Sequence, residues 1–127
     1  GESSNVQFGD VAESISTEFN KYLPTYSPEG FFVETVQETP KKSIYIQFSN
    51  GKNEFYDLQC NIDVSNVSVD TEDGKITRMK INNADVTISE RESRITAVYT
   101  VNDIFYSIIG NIPQEEIIKV MESIPLQ

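Results

Sequence analysis

The feature that most constrains the fold is a series of short segments with alternating apolar and polar residues between residues 31 and 110. The run SIYIQFS shows the pattern, with Ile44, Ile46 and Phe48 on one face, because successive side chains of a strand point to opposite faces. The connections between the segments are too short for the crossovers that parallel strands require. The pattern therefore predicts an antiparallel meander sheet of five to seven strands.

The strands and turns can be placed from this alternation. The predicted strands are FFVETVQE (31–38), SIYIQFS (43–49), EFYDLQCNI (54–62), ITRMKIN (76–82), ADVTISE (84–90), RITAVYTV (94–101) and IFYSIIG (104–110). Tight turns are predicted where residues that tolerate a positive φ stand in pairs, at Asn50-Gly51, Asn82-Asn83 and Asn102-Asp103, and a further turn near Glu92-Ser93. Residues 63–75 are polar, and this segment is interpreted as a loop.

The N-terminal part of the chain has helical spacing. Apolar side chains recur every three to four residues within residues 10–23, at Val11, Ile15, Phe19 and Tyr22. This spacing predicts a helix with one apolar face. The chain begins with the polar run GESSN, and we expect residues 1–9 to be flexible.

A second helix is predicted after the last strand. Its apolar stripe consists of Ile117, Ile118, Val120, Met121 and Ile124. Pro113 suits the first turn, where a missing N–H costs nothing. A helix this short needs an apolar surface to cover, and a sheet face provides one. The chain is therefore predicted to be a single α+β domain over residues 1–127, with an N-terminal and a C-terminal helix packed on the sheet.

Composition excludes several classes of function. The formal net charge is −10, which repels nucleic-acid backbones and anionic membrane surfaces. The chain has no histidine, so catalytic triads with a histidine base and histidine-containing metal sites are excluded. The single cysteine, Cys60, cannot form an intrachain disulfide. No apolar run approaches the roughly 18 residues that span a bilayer. We expect no enzymatic activity, no catalytic residue, no metal and no cofactor.

Two groups of residues are weak candidates for chemistry. Asp70, Glu72 and Asp73 precede Gly74 and raise the possibility of a calcium loop, but their spacing lacks the alternate ligands and the closing glutamate that such a loop uses. A solvated turn is the preferred interpretation. Cys60 lies on the apolar side of its strand and is interpreted as a buried structural thiol rather than a reactive one.

Two carboxylates of the second helix and the aromatic residues of the strands each allow a functional and a structural interpretation. Glu115 and Glu116 are adjacent on a helix and diverge by about 100°, so they favour an interaction with the helix dipole over paired acid–base catalysis. Aromatic side chains in the strands either line a binding surface or pack in the core or against neighbouring strands, and packing is the preferred interpretation. These residues are Tyr45, Tyr56, Tyr99, Phe105 and Tyr106.

Four segments in a fixed order resemble one known family. They are SPEGFFVETV, IYIQFSNGKNEF, VDTEDGKITRMKINNADVTI and YSIIGNIPQEEIIKVMESI. Together they are similar to domain of unknown function 4367 over about residues 24–124, and the closing segment is the most specific. The resemblance implies a domain on the extracytoplasmic face of a Gram-positive bacterial membrane, tethered by a segment that precedes Gly1 and often joined to an anti-sigma-factor-like cytoplasmic region.

The family has no established chemistry, so the resemblance implies no site residue. The expected function is that of a non-enzymatic, extracytoplasmic binding or sensing module in a membrane-anchored regulatory protein. Its partner would be an unidentified protein or small ligand outside the cell. The alternative is a carrier for a lipid or another apolar ligand, held in a curved sheet with a helical lid. A small enzyme that uses only carboxylates is a third possibility. The loop 63–75 is the expected contact, since long irregular segments often carry function.

Overall fold

The computed structural model describes residues 19, 21–40, 42–62 and 74–125. Three predictions fall largely on other residues: the flexible segment 1–9, the helix 10–23 except for residues 19 and 21–23, and the loop 63–75 except for its last two residues. Those parts lie outside the described residues, and residues 21–23, predicted to end the helix, form a turn and a bend instead.

The described residues form seven strands and one helix, and the predicted strands are confirmed. The strands are β1 (Phe32–Thr39), β2 (Ser43–Ser49), β3 (Phe55–Asn61), β4 (Lys75–Ile81), β5 (Ala84–Arg91), β6 (Arg94–Val101) and β7 (Ile104–Gly110). The helix, α1, is Gln114–Glu122. The described part of the chain is therefore mostly β, with the predicted C-terminal helix at its end.

All seven strands belong to one antiparallel sheet, in the order β1-β2-β3-β7-β6-β5-β4. Two meanders, β1–β3 and β4–β7, meet where β3 pairs with β7. The last strand thus lies in the middle of the sheet, whereas β4 lies at an edge. The antiparallel arrangement agrees with the prediction. The strand order differs from that of a simple meander, because β3 pairs with β7 and not with β4.

Two-residue turns connect the strands of the second meander, as predicted. Both residues have positive φ in each turn: 54° and 66° at Asn82-Asn83, 52° and 65° at Glu92-Ser93, and 51° and 65° at Asn102-Asp103. This geometry matches the right-handed twist of the strands. The β2–β3 connection is longer. The Asn50 side chain holds it in place by accepting hydrogen bonds from the backbone N–H groups of Lys52 and Glu54.

One face of the sheet, called the core face here, carries the hydrophobic core. Aligned rows of side chains cross it, and the central row runs through Ile46, Leu58, Ile108, Ala97 and Ile88. All five are at most 1% exposed. The alternation in the sequence has therefore placed apolar residues of five neighbouring strands on a common surface.

Helix α1 covers part of the core face and contacts β4 and β6. Ile117, Val120, Met121 and Ile124 are all buried, so the predicted lid is confirmed. Burial of this stripe stabilises a nine-residue helix that would be marginal alone.

A second cover comes from residues 19–31, called the strap here. Phe19 and Leu23 are buried in the core cluster. The Tyr106 hydroxyl donates a hydrogen bond to the backbone oxygen of Tyr22 at 2.7 Å. Phe31 packs on Tyr56 with ring centroids 5.5 Å apart. The strap therefore covers the region of the core face where β3 and β7 meet.

The strap and the helix are joined at Ser123, directly after α1. The Ser123 hydroxyl oxygen accepts hydrogen bonds from the backbone N–H groups of Thr25 and Tyr26, both at 3.0 Å. The Thr25 hydroxyl in turn donates to the Ser123 carbonyl oxygen at 3.1 Å. One serine thus connects the two covers of the core face.

Candidate functional site

The two weak chemical candidates give no site in the described residues. Asp70, Glu72 and Asp73 lie outside these residues. Cys60 is fully buried, as predicted, and burial raises the pKa of its thiol to about 12. A thiol that stays protonated and inaccessible is a poor nucleophile. No group of three or more metal-ligating side chains occurs in the part of the chain that the structure describes.

Glu115 and Glu116 lie in the first turn of α1, where the helix dipole stabilises negative charge. Glu116 has a further role that the sequence did not indicate. It accepts a hydrogen bond from the Tyr26 hydroxyl at 2.6 Å and pairs with Lys119 at 3.2 Å. These contacts hold the pKa of the Glu116 carboxyl below its ordinary value, while burial and this same hydrogen bond raise the pKa of Tyr26 to about 12. Glu116 is therefore another link between strap and helix.

The predicted packing in the core is confirmed for three of the five strand aromatics, and the other two lie on the opposite face of the sheet. Tyr56, Tyr99 and Tyr106 are at most 1% exposed on the core face. Tyr45 is 44% exposed on the opposite face. Phe105 is buried on that opposite face as well, since it alternates with Ile104 and Tyr106 along β7. The second face is therefore not uniformly polar.

This second face, called the outer face here, contains a half-open recess of about 420 Å³ near the β5–β6 turn. Ser89, Arg91, Arg94, Thr96 and Ile109 line it together with Glu92. Arg91 and Arg94 are register partners on neighbouring strands. Both side chains are positively charged, and like charges in such positions repel each other. They place positive charge at this end of the outer face, in a chain whose net charge is −10.

A second recess, of about 240 Å³, lies on the β1–β3 side of the outer face. Thr35, Gln47 and Asp57 lie in one row across the strands, and Gln37 and Tyr45 form the next row. The first row continues through Ile109, Thr96 and Ser89 of the larger recess. The two recesses are therefore neighbours along one line across the sheet.

Asp57 stands between the two recesses and is poorly satisfied. Its Oδ1 atom is buried and has no hydrogen-bond partner among the described residues. Burial raises the pKa of the Asp57 carboxyl, and the attraction of Arg94 offsets this only in part. A buried polar atom without a partner costs about 1–3 kcal/mol. The missing donor can be supplied by an ordered water, an ion, a ligand or a partner.

Arg94 reaches toward Asp57 along the same face. Its guanidinium carbon lies 6.0 Å from the centre of the Phe55 ring, and Phe55 is two residues before Asp57 on β3. The side chain of Arg94 therefore extends from β6 across β7. No direct ion pair between Arg94 and Asp57 occurs among the described residues, so the two opposite charges interact only at longer range on this face.

The sequence carries no distinctive signal for this site. Asp57 lies in mid-strand, between the core residues Tyr56 and Leu58, at a position that faces outward. A charged residue there is unremarkable in a sheet with one solvated face. Only the register shows that its row continues to Thr96 and the arginine recess.

Comparison with known proteins identifies the family of this chain. The family model described as "Domain of unknown function (DUF4367)" matches residues 21–124. The match spans more than three-quarters of the chain, so this chain belongs to that family, as its sequence segments indicated. A search of curated proteins finds no match. None of the helices in the described ranges is long and apolar enough to cross a membrane.

Proposed function

We propose that this member of the family is a non-enzymatic binding or sensing module, held on the extracytoplasmic face of a membrane as part of an anchored regulatory protein. The observation that carries the binding role is the contrast between the two faces of the sheet. The core face is covered by α1 and the strap, whereas the outer face presents recesses and a carboxylate oxygen without a partner. The tether, the location and the anti-sigma-factor-like context rest on the family resemblance.

The filled core face favours this role over that of an apolar-ligand carrier. A carrier requires an apolar cavity between the sheet and its covers. Here Ile108, Ile117 and Met121 are completely buried in the shared core. The large recesses of the outer face instead have polar or charged groups in their walls. Such walls suit a polar ligand or a protein partner.

The location can be tested by labelling a cysteine in the full-length protein in intact cells. Glu29 is exposed in the strap, so the substitution Glu29→Cys provides an accessible thiol. Cys60 provides a silent background because it is buried and its thiol has a raised pKa of about 12. We expect a membrane-impermeant maleimide to label the variant in intact cells and to leave the parent unlabelled. Labelling only after lysis would refute the extracytoplasmic location.

The sensing role can be tested by deletion and by exchange of the loop in the full-length protein. Deletion of residues 24–127 should change the regulatory output under inducing conditions. Replacement of residues 66–74 by a Gly/Ser linker tests whether the predicted contact loop is required. An output equal to that of the parent in the loop variant would exclude the loop as the contact. An unchanged output in the deletion variant would refute the sensing role.

A further inference from the structure

We propose that the outer face binds a small zwitterion, with its carboxylate at the arginine recess and its ammonium group at Asp57. This inference rests on the proposed binding role and names the ligand chemistry of that site. It follows from three features of the outer face: a cationic end, an anionic end with an unpartnered oxygen, and a separation between them that a small molecule can bridge.

The cationic end consists of Arg94 with its register partner Arg91, and the Ser89 and Thr96 side chains add hydroxyl donors to the same recess. An arginine guanidinium presents donors in a planar fork that matches a carboxylate. Glu92, in the turn, also lines this recess and limits its positive charge. A single carboxylate therefore suits the site better than a multiply charged anion.

The anionic end consists of Asp57. Its side chain lines the second recess, where the carboxylate can accept a hydrogen bond from a ligand, while its buried Oδ1 atom has no donor among the described residues. An ammonium group is a suitable donor, because it supplies both the hydrogen bond and a charge that stabilises the ionised carboxylate. Gln47 and Tyr45 line the adjoining recess and bring polar groups to the same end.

The distance between the two ends suits a short molecule. The guanidinium of Arg94 lies beside Phe55, and Phe55 is two residues from Asp57 on the same face of β3. Two residues of a strand span about 7 Å. The side chain of Ile109 lies in the row between Asp57 and Thr96 and offers an apolar surface for a short methylene chain. A ligand with its two charges a few bonds apart can therefore contact both ends.

The net charge of the chain favours a zwitterion over a simple ion. An overall charge of −10 repels a free anion, and a free cation bound at Asp57 would lie near the positive charge of Arg94. A zwitterion has no net charge, so it is subject to neither penalty and gains both local contacts. The two charged contacts should therefore both be needed for measurable binding.

The test is an NMR titration of the 127-residue chain with a series of ω-amino acids: glycine, β-alanine, γ-aminobutyrate and ε-aminocaproate. Butyrate and butylamine serve as probes with one charge each. We expect the longer members to shift backbone amide signals of β3, β6 and β7. Each singly charged probe should bind at least about tenfold more weakly, since a hydrogen bond to a charged group contributes about 1.5–3 kcal/mol.

Matched variants locate the site. Asp57→Asn and Arg94→Gln should each weaken binding by about tenfold or more. Asp85→Asn and Arg78→Gln change an acid and a base elsewhere on the outer face, on β5 and β4, and should bind as the parent does. The amide spectra of all four variants report whether the fold is intact.

Three results would overturn the proposal. The first is the absence of shifts with every ω-amino acid. The second is binding of butyrate or butylamine as tight as that of γ-aminobutyrate, which would indicate a site for a single ion. The third is equal weakening by the control variants and by Asp57→Asn. None of these results bears on labelling of the Glu29→Cys variant or on the regulatory output, so failure here is distinguishable from failure of the proposed function.

Discussion

The two faces of the sheet are formed by the same strands but differ in the packing and burial of their side chains. On the core face the side chains pack in one cluster with residues of α1 and the strap, and residues such as Leu58 and Ala97 are fully buried. On the outer face, Asp57 and Arg94 line half-open recesses, and the Asp57 Oδ1 atom has no hydrogen-bond partner among the described residues.

The difference shows where stability and binding reside in this domain. A buried apolar row contributes through the area removed from water and through close packing. The outer face contributes less to stability, and among the described residues the buried Asp57 Oδ1 atom on it has no hydrogen-bond partner. Substitutions should therefore be costly on one face and tolerated on the other.

The largest contrast should come from two isoleucines in different environments. Ile117→Ala, on the core side of α1, should lower the free energy of unfolding by about 2–4 kcal/mol, because it leaves a cavity in a filled core. Ile76→Ala should change the free energy by about 0.5 kcal/mol or less, because this residue is 41% exposed. Urea denaturation measures both. Equal losses would contradict the division into two faces.

Gly110 tests how closely the strands approach at the junction of the two meanders. A Cβ atom at this position would lie 2.8 Å from the Tyr56 Cα atom and would also overlap the Phe55 carbonyl oxygen. Gly110→Ala should therefore cost about 1–3 kcal/mol in thermal or urea unfolding. Ser107→Ala on the same strand, facing outward, is the control. A Gly110→Ala variant as stable as this control would mean that β3 and β7 can separate without cost.

Ser123 tests the link between the two covers of the core face. Ser123→Ala removes the hydroxyl that accepts hydrogen bonds from Thr25 and Tyr26 and should cost about 1 kcal/mol. Hydrogen exchange at the amides of Thr25 and Tyr26 should accelerate more than exchange in β3. Ser123→Thr retains the hydroxyl and should restore protection. Unchanged exchange in Ser123→Ala would show that apolar packing alone holds the strap.

The pH dependence of stability should have opposite signs for two carboxylates, Glu116, which joins the strap to α1, and Asp57, which lies on the outer face. The pKa of Glu116 is lowered in the folded chain, so its stabilising effect is present above its unfolded pKa and is lost as the pH falls through the folded pKa. The pKa of Asp57 is raised, so its effect is favourable below its unfolded pKa and is lost as the pH rises through the folded pKa.

Glu116→Gln should therefore reduce the melting temperature at pH about 7, and Asp57→Asn should increase it. Both differences from the parent should shrink as the pH falls below about 4, the ordinary range of carboxyl groups. Melting curves recorded across this range measure the two effects. A lower melting temperature for Asp57→Asn at neutral pH would mean that the ionised carboxylate is satisfied in the folded protein.

The smallest expected effect concerns the β5–β6 turn, beside the larger recess. Ser93 has a φ of 65°, a conformation that glycine adopts without a steric penalty. Ser93→Gly should raise the free energy of unfolding by about 0.5 kcal/mol, as the relief of strain exceeds the added entropy cost. Asn83→Gly should give a smaller gain, because asparagine tolerates this region. A loss of stability in Ser93→Gly would indicate that its side chain has contacts that strengthen the turn.

Much of the fold could be predicted because its signals are local. Alternation identified all seven strands, pairs of asparagine or similar residues identified the two-residue turns, and the stripe from Ile117 to Ile124 identified the C-terminal helix and its buried side. These signals depend only on backbone preferences and on side-chain periodicity. The candidate site was not predicted, because Asp57 and Arg94 lie far apart in the sequence and each has an ordinary outward-facing position.

The sequence by itself determined which residues form strands, which face of each strand is apolar, and where the chain reverses. The tertiary structure alone decided that β7 pairs with β3 and that one row joins Asp57 to the arginine recess. It also decided that the strap meets α1 at Ser123. The physical reason is that periodicity and turn propensity act over a few residues, whereas strand order depends on pairings between distant segments that compete for the same edges.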